Sequence, residues 1–277
     1  RFLSIFEASN VTDISNMLSN CKSLSSINLN NFDTSKVEDM SYLFYNLTSL
    51  TSIDISNLKV SNPKNMSKMS GDCKNLKNVV IEELKIKDVK DMSFMFENCI
   101  NLKSLRLRGF KTGNNGNLSG MFKQCNSLSS LEFYDFVTLY TEDMSEMFYN
   151  TKLNSLDLSG FDTSSVKNMS YMFYGCSYLT SLSFSKSQTT KLTDVSNMFS
   201  GCKLLRSLDF NFDTSKIKNM SYLFNVCNSL KSLSLNGWDT SQVKNMSHLF
   251  SSCSELTSIN IQKFQSQNLE DISYMFH

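Results

Sequence analysis

One short pattern recurs along the whole chain and limits what it can fold into. The pattern [MILV]-S-x-[ML]-[FLS] begins at Ile14, Met40, Met66, Met92, Leu118, Met144, Met169, Val195, Met220, Met246 and Ile272. The spacing is 26 residues, with two intervals of 25 (144 to 169 and 195 to 220). The first short interval drops a residue within Asn150–Lys152 and the second within Phe210–Phe212, places where a turn absorbs the loss. A period of this length marks a stacked-repeat architecture, because one such unit cannot bury its own apolar side. Residues 1–277 therefore read as a single solenoid of ten complete repeats and a truncated eleventh. The chain begins at Arg1 and stops a few residues into a repeat, so it reads as a piece of a longer protein.

Counting the anchor as position 0, each unit divides into segments with different physical demands. The stretch L-x-S-[LI]-x-[LIVF], as in Leu24–Leu29 and Leu102–Leu107, ends in apolar/polar alternation. Period two predicts a strand, and one strand per unit predicts a parallel sheet along the stack. Phe-Asp-Thr-Ser follows at 32–35 and 161–164, with Trp238-Asp-Thr-Ser241 as its relative. Asp, Thr and Ser hydrogen-bond their own backbone and suit a turn. Asp or Asn precedes every anchor, from Asp13 to Asp271, and reads as a helix N-cap. The apolar residues at 0, +3, +4 and +7 then predict one face of a short helix, ended by Gly175, Gly201 or Asn98. The expected fold is an α/β repeat solenoid: a leucine-rich-repeat-like right-handed superhelix with one parallel strand and one short capped helix per 25–26-residue repeat. A helix wider than the strand spacing favours an arc over a straighter β-solenoid.

All eight cysteines lie at position +7, a slot that Leu47 fills in another unit, so they read as buried free thiols. No C-x-x-C occurs, and His248 and His277 are the only histidines, so neither a metal site nor a cofactor is expected. The serine before each strand's second apolar residue, from Ser26 to Ser258 with Asn78 the exception, has no histidine beside it and reads as a packing ladder. No glycine-rich phosphate loop exists, and no enzyme is expected. The 27 basic and 26 acidic residues nearly cancel, which gives no field for nucleic acid. No run approaches the roughly 18 apolar residues of a membrane span.

Seven N-x-[ST] sequons occur, and five of them are the Asn that precedes an anchor. Asn10 and Asn46 remain as the glycosylation candidates. The informative positions are the outward ones of the strands, at +11, +14 and +16. Most hold Ser, Thr, Asn or Asp, among them Asn30. One stretch instead carries Lys103, Arg106 and Arg108, then Glu132 and Tyr134, with Lys77 and Glu82 one unit earlier and Arg206 and Lys231 further along. A solvated polar face is the plain reading of these positions. The sharper one is a basic spot around Arg106 that docks a carboxylate-bearing partner.

The unit C-x-x-L-x-S-L-x-L-x-x-F-D-T-S-x-V-x-[ND]-M-S-x-M-F resembles the BspA-like leucine-rich repeat surface proteins of bacteria and protists, in their D-T-S-x-V-x-x-M branch. Residues 13–277 carry the resemblance, most fully at Phe161–Phe173 and Trp238–Phe250. The copy at Met66 departs most, with Ser70 in place of Phe and Val79–Ile86 in place of the usual strand and turn. The resemblance implies an extracellular or cell-surface protein that works by adhesion or protein recognition, without catalytic residues. The expected function is a non-catalytic interaction module that binds a protein or glycan through its sheet face. The alternatives are a structural spacer or assembly subunit contacting other chains through its ends and sides, and an intracellular scaffold, which free thiols would suit.

Overall fold

The computed structural model describes residues 8–29, 32–56, 58–60, 62–81, 86–184, 189–208, 212–262 and 264–277. The chain divides into two compact units, Arg1–Thr141 and Glu142–His277. Each is a repeat solenoid whose rungs pair in parallel.

In the first unit Ser52–Asp54 pairs with Asn78–Val80, and Ser104–Arg108 with Ser130–Tyr134. In the second, Ser155–Leu158 pairs with Ser181–Phe184, and Ser232–Ser234 with Ser258–Asn260. The alternation read from the sequence appears as burial: Leu105 and Leu107 point inward, Ser104, Arg106 and Arg108 outward. A second ladder runs through the residue before each anchor, Asp13 to Asp91 in the first unit and Asp143 to Asp271 in the second. Ile86–Asp91 pairs with Phe110–Asn117 in a broken register, inside the region where the repeat departs most.

The expected helix is absent: no α-helix occurs among the described residues. The segment from 0 to +7 is two consecutive β-turns. Leu43 N–H bonds to the Met40 carbonyl at 3.3 Å, and Cys21 N–H to that of Leu18 at 3.2 Å. The third residue of each turn has positive φ, as at Tyr42 and Asn46 (55° and 58°) or Asn16 and Asn20 (56° and 62°). The amides at 0, +2, +4 and +6 leave their own rung. Those of Met40, Tyr42, Phe44 and Asn46 reach the carbonyls of Asn65, Ser67, Met69 and Gly71 at 2.8–3.0 Å. A helix spends its amides internally and is about 10 Å wide. Rungs that ladder at strand spacing on every side have no room for one. The widening that favoured an arc is therefore missing.

The residue expected as an N-cap has a different role. In all eleven units its side-chain oxygen accepts the N–H of the serine two residues on, at 2.8–3.1 Å, which is an Asx-turn.

Columns of like residues fill each core. Phe173, Phe199, Phe224 and Phe250 stack with centroids 5.5–5.8 Å apart and planes within 5°. Ser70 interrupts the phenylalanine column, and its buried hydroxyl has no hydrogen-bond partner among the described residues. Buried cysteines form the next column. Each thiol donates to the carbonyl at +4 of the preceding rung, Cys125 to Phe96 at 3.1 Å and Cys202 to Phe173 at 3.2 Å. The expectation of burial fails at Cys21, which is exposed, and in part at Cys253. Of the two deleted positions, the first leaves Thr151 buried in the cysteine slot, 3.3 Å from Cys176 Sγ. Phe210 and Asn211 lie outside the described residues.

Candidate functional site

The outward face of strands Ser104–Arg108 and Ser130–Tyr134 gathers the residues singled out in the sequence. In-register pairing puts Arg106 opposite Glu132 and Arg108 opposite Tyr134. Arg106 Nε lies 2.9 Å from Glu132 Oε2, and the Tyr134 hydroxyl donates to the same oxygen at 3.0 Å. The Arg106 guanidinium also sits over the Tyr134 ring, 5.7 Å from its centroid. These two hydrogen bonds, Arg106's first, hold the Glu132 carboxyl below its ordinary range. Tyr134 keeps 46% of its surface exposed, and Val80, at the same strand position one rung before Arg106, keeps 41%.

Arg108 pairs with Asp135 at 3.7 Å. Sequence reasoning missed Asp135 because it lies just beyond the strand's alternation. Lys103 is exposed at the edge of the cluster, and Lys77 is exposed one rung earlier. The expected basic spot is therefore a mixed patch, in which each arginine is matched by a carboxylate. Asn30 and Glu82 lie outside the described residues. In the second unit Arg206 is exposed and Lys231 approaches Glu255 at 3.9 Å.

The two sequon candidates differ. Asn10 is exposed and its Oδ1 accepts from Lys36 Nζ at 2.8 Å. Asn46 is half-buried, and its Nδ2 donates to Asn20 Oδ1 at 2.7 Å. The serine before each strand's second apolar residue lies on the exposed face, as at Ser52, Ser104, Ser130 and Ser155. Among the described residues no cluster of three His, Cys, Asp or Glu could hold a metal ion, and no helix is long and apolar enough to cross a membrane.

The family described as "Mycoplasma protein of unknown function, DUF285" matches residues 2–105, 71–183, 116–229 and 179–277, in overlapping segments that cover nearly the whole chain. The chain belongs to the DUF285 family. No curated protein matches it. Among solved structures it is similar to a leucine-rich cell surface protein of Faecalibacterium prausnitzii A2-165, at 18% identity and a TM-score of 0.42 over 90% of this chain and 76% of that one. An internalin of Listeria monocytogenes matches at 20% identity and 0.36, over 87% and 66%. A leucine-rich repeat protein of Bacteroides ovatus matches at 16% and 0.34, over 96% and 81%. Overlaps of this size and identity assign neither ligand nor location.

Proposed function

We propose that this DUF285 chain is a non-catalytic interaction module of a cell-surface or secreted protein, and that a ligand bearing carboxylates meets the sheet face of its first unit. One observation carries the reading. The residues that repeat are tied up in ladders of turns, thiols and rings, while consecutive rungs at +14 carry Val80, Arg106 and Glu132 beside the exposed Tyr134. A surface that changes chemistry from rung to rung while its scaffold stays uniform suits recognition. Tyrosine and arginine are enriched at binding surfaces, where a rigid ring and a planar cation lose little entropy. The extracellular location rests on the resemblance to BspA-like repeats. In a secreting host that glycosylates, Asn10 is the acceptor we infer, because the Asn46 amide nitrogen is already engaged.

The test is to select a random-peptide display library and probe an array of carboxylated glycans with the full chain. Repeating both with the double variant Arg106→Ala/Arg108→Ala and with Tyr134→Ala locates the site. The reading expects ligands rich in Asp, Glu or uronic acid that lose about tenfold or more in affinity to each variant. Ligands that bind all three proteins equally would overturn it.

A further inference from the structure

The near-neutral charge of the chain conceals a segregation. Positions +7 to +12 form the corner that leads from the turns of each rung into its strand. In the first unit the charged residues of this corner are Lys22, Lys74, Lys77 and Lys103, with no acid among them. In the second they are Lys152, Lys203, Arg206 and Lys231, with Glu255 the one acid. All eight cations are exposed. Lys231 approaches Glu255 at 3.9 Å, and among the described residues the other seven form no ion pair. The described acids that border the corner are engaged elsewhere. Asp72 accepts from Asn98 at 3.0 Å, Glu97 faces Lys68 at 3.3 Å, and Asp54 and Asp157 hold the amides of Ser56 and Ser159 at 3.0 and 2.9 Å.

The support beneath these cations is laddered. Lys77 N–H bonds to the Thr51 carbonyl at 2.9 Å, Ser129 N–H to that of Lys103 at 2.9 Å, and Thr257 N–H to that of Lys231 at 3.1 Å. The side-chain amides of Asn75 and Asn101 reach back one rung to the carbonyls of Thr48 and Lys74 at 2.7 and 2.8 Å. Like charges are stacked on this support. At +11, Lys77 and Lys103 occupy consecutive rungs, and so do Arg206 and Lys231. Neighbouring rungs lie about 4.8 Å apart, and like charges side by side across a ladder destabilise it. Other rungs hold Ser25, Thr51, Ser129, Thr180 or Thr257 at +11, so the fold does not need a cation there. Repulsion kept where a neutral residue is accommodated points to an anionic partner.

Spacing narrows the partner. At +8, Lys22 and Lys74 stand on alternate rungs of the first unit, and Lys152 and Lys203 on alternate rungs of the second. Alternate rungs are about 10 Å apart, which matches the advance of one disaccharide in a linear polysaccharide. The rungs between carry the hydroxyls of Thr48, Ser49 and Ser177, which suit the hydroxyls of a sugar. Nucleobases would need aromatic platforms, and Tyr178 is the one ring at these positions. We propose that this corner, in each of the two units, binds a linear polysaccharide that bears a carboxylate or sulfate on every disaccharide. The ammonium groups meet the anions as point charges. A repeating polymer engages several rungs at once, which multiplies weak contacts. The corner is built without Arg106, Glu132 or Tyr134, so it stands apart from the sheet-face patch of the first unit.

The experiment is biolayer interferometry of the full chain against immobilised hyaluronan, chondroitin sulfate and heparin. Dextran is the neutral counterpart, and polyphosphate and duplex DNA are anions of other spacing. The variants are Lys74→Gln/Lys77→Gln and Lys203→Gln/Arg206→Gln, one in each unit. At least one of the anionic polysaccharides is expected to bind the wild-type chain more tightly than polyphosphate or DNA does. Each double variant should lose about tenfold in affinity at about 0.1 M salt, and its log–log dependence on salt should flatten by about two contacts, with melting unchanged. Arg106→Ala/Arg108→Ala should leave this binding intact, so the two surfaces succeed or fail separately. Binding to none of the three, equal binding to dextran, or binding to polyphosphate or DNA that is as tight or tighter would overturn the proposal. Wild-type affinity in either double variant would overturn it for that unit.

Discussion

The Thr214 hydroxyl bridges both backbone groups of Asp239 on the next rung, accepting its N–H at 2.7 Å and donating to its carbonyl at 3.0 Å. Thr189 does the same for Asp213, and Thr240 for Gln265, so buried threonines replace backbone pairing along that side of the second unit. Thr34 occupies the equivalent place in the first unit, buried, with no hydrogen-bond partner for its hydroxyl among the described residues. Valine matches threonine in shape and lacks the hydroxyl. Thr214→Val should therefore cost about 2 kcal/mol, because it strands a buried donor and acceptor. Thr34→Val should be neutral or stabilise by up to about 1 kcal/mol, since only an unsatisfied group is lost. Urea denaturation of the two variants decides it, and equal losses would remove the ladder from the account of stability.

Position +6 must hold positive φ, and the residue there sets a cost. Asn20, Asn46, Asn98 and Asn150 meet it with asparagine, and Gly175 and Gly201 with glycine, but Val226 sits at φ 58° with a β-branched side chain. Val226→Asn should stabilise by about 1 kcal/mol by relieving that clash. The converse test lies at +2, the third residue of the preceding turn, and is Gly120→Ala. Its φ is +58°, and a Cβ would strike the Phe94 ring. We expect a loss of about 2 kcal/mol or more. If Val226→Asn lowers the urea midpoint, the strain assigned to this turn is not what limits stability there.

The pattern of +6 residues also explains where sequence reading ran out. Apolar residues at 0, +3, +4 and +7 mark one face of a helix, but two successive β-turns bury the same four positions. Met40, Leu43, Phe44 and Leu47 are all buried by the turns. The signal that separates the two is the Asn/Gly preference at +6, which looks like a helix terminator when read alone. Its partner at +2 was hidden, because Tyr42, Lys68 and Phe94 occupy a conformation that their side chains disfavour. The strand face was legible, since equal spacing between units puts Arg106 beside Glu132. Asp135 was not, because it lies past the last residue of its strand, where alternation gives no direction. The threonine ladder was invisible for a related reason: a threonine in Asp-Thr-Ser looks like any turn residue until the next rung is seen against it.

The cysteine column predicts alkaline instability. Burial pushes the thiols up from their ordinary 9.0, to about 11 at Cys73 and Cys176 and about 12 at Cys125. Below pH 9 the thiols are protonated in both folded and unfolded chains, and their stabilisation is complete. Between pH 9 and 11 the unfolded chain releases protons that the folded chain keeps, so stability falls as pH rises. The melting temperature should hold from pH 7.5 to 9 and then drop. Cys125→Thr, which copies the residue that fills the same slot at Thr151, should shallow that drop. An unchanged slope in the variant would mean that other groups drive it.

The Arg106–Glu132 pair should matter little to folding. Both side chains are well exposed, at 57% and 44%, so water screens the attraction. The hydrogen bonds from Arg106 and Tyr134 hold the Glu132 carboxyl below its ordinary range, so as pH falls the pair outlasts a free carboxylate's charge. Arg106→Ala should therefore leave the melting temperature and the urea midpoint essentially where they are, and 0.5 M salt should act alike on the variant and the wild-type chain. The same substitution removes the cation on which the proposed carboxylate contact rests. A variant with wild-type melting and lost ligand binding separates recognition from scaffold. A melting temperature lowered as far as by a buried-core substitution would instead place Arg106 among the residues that hold the rungs together.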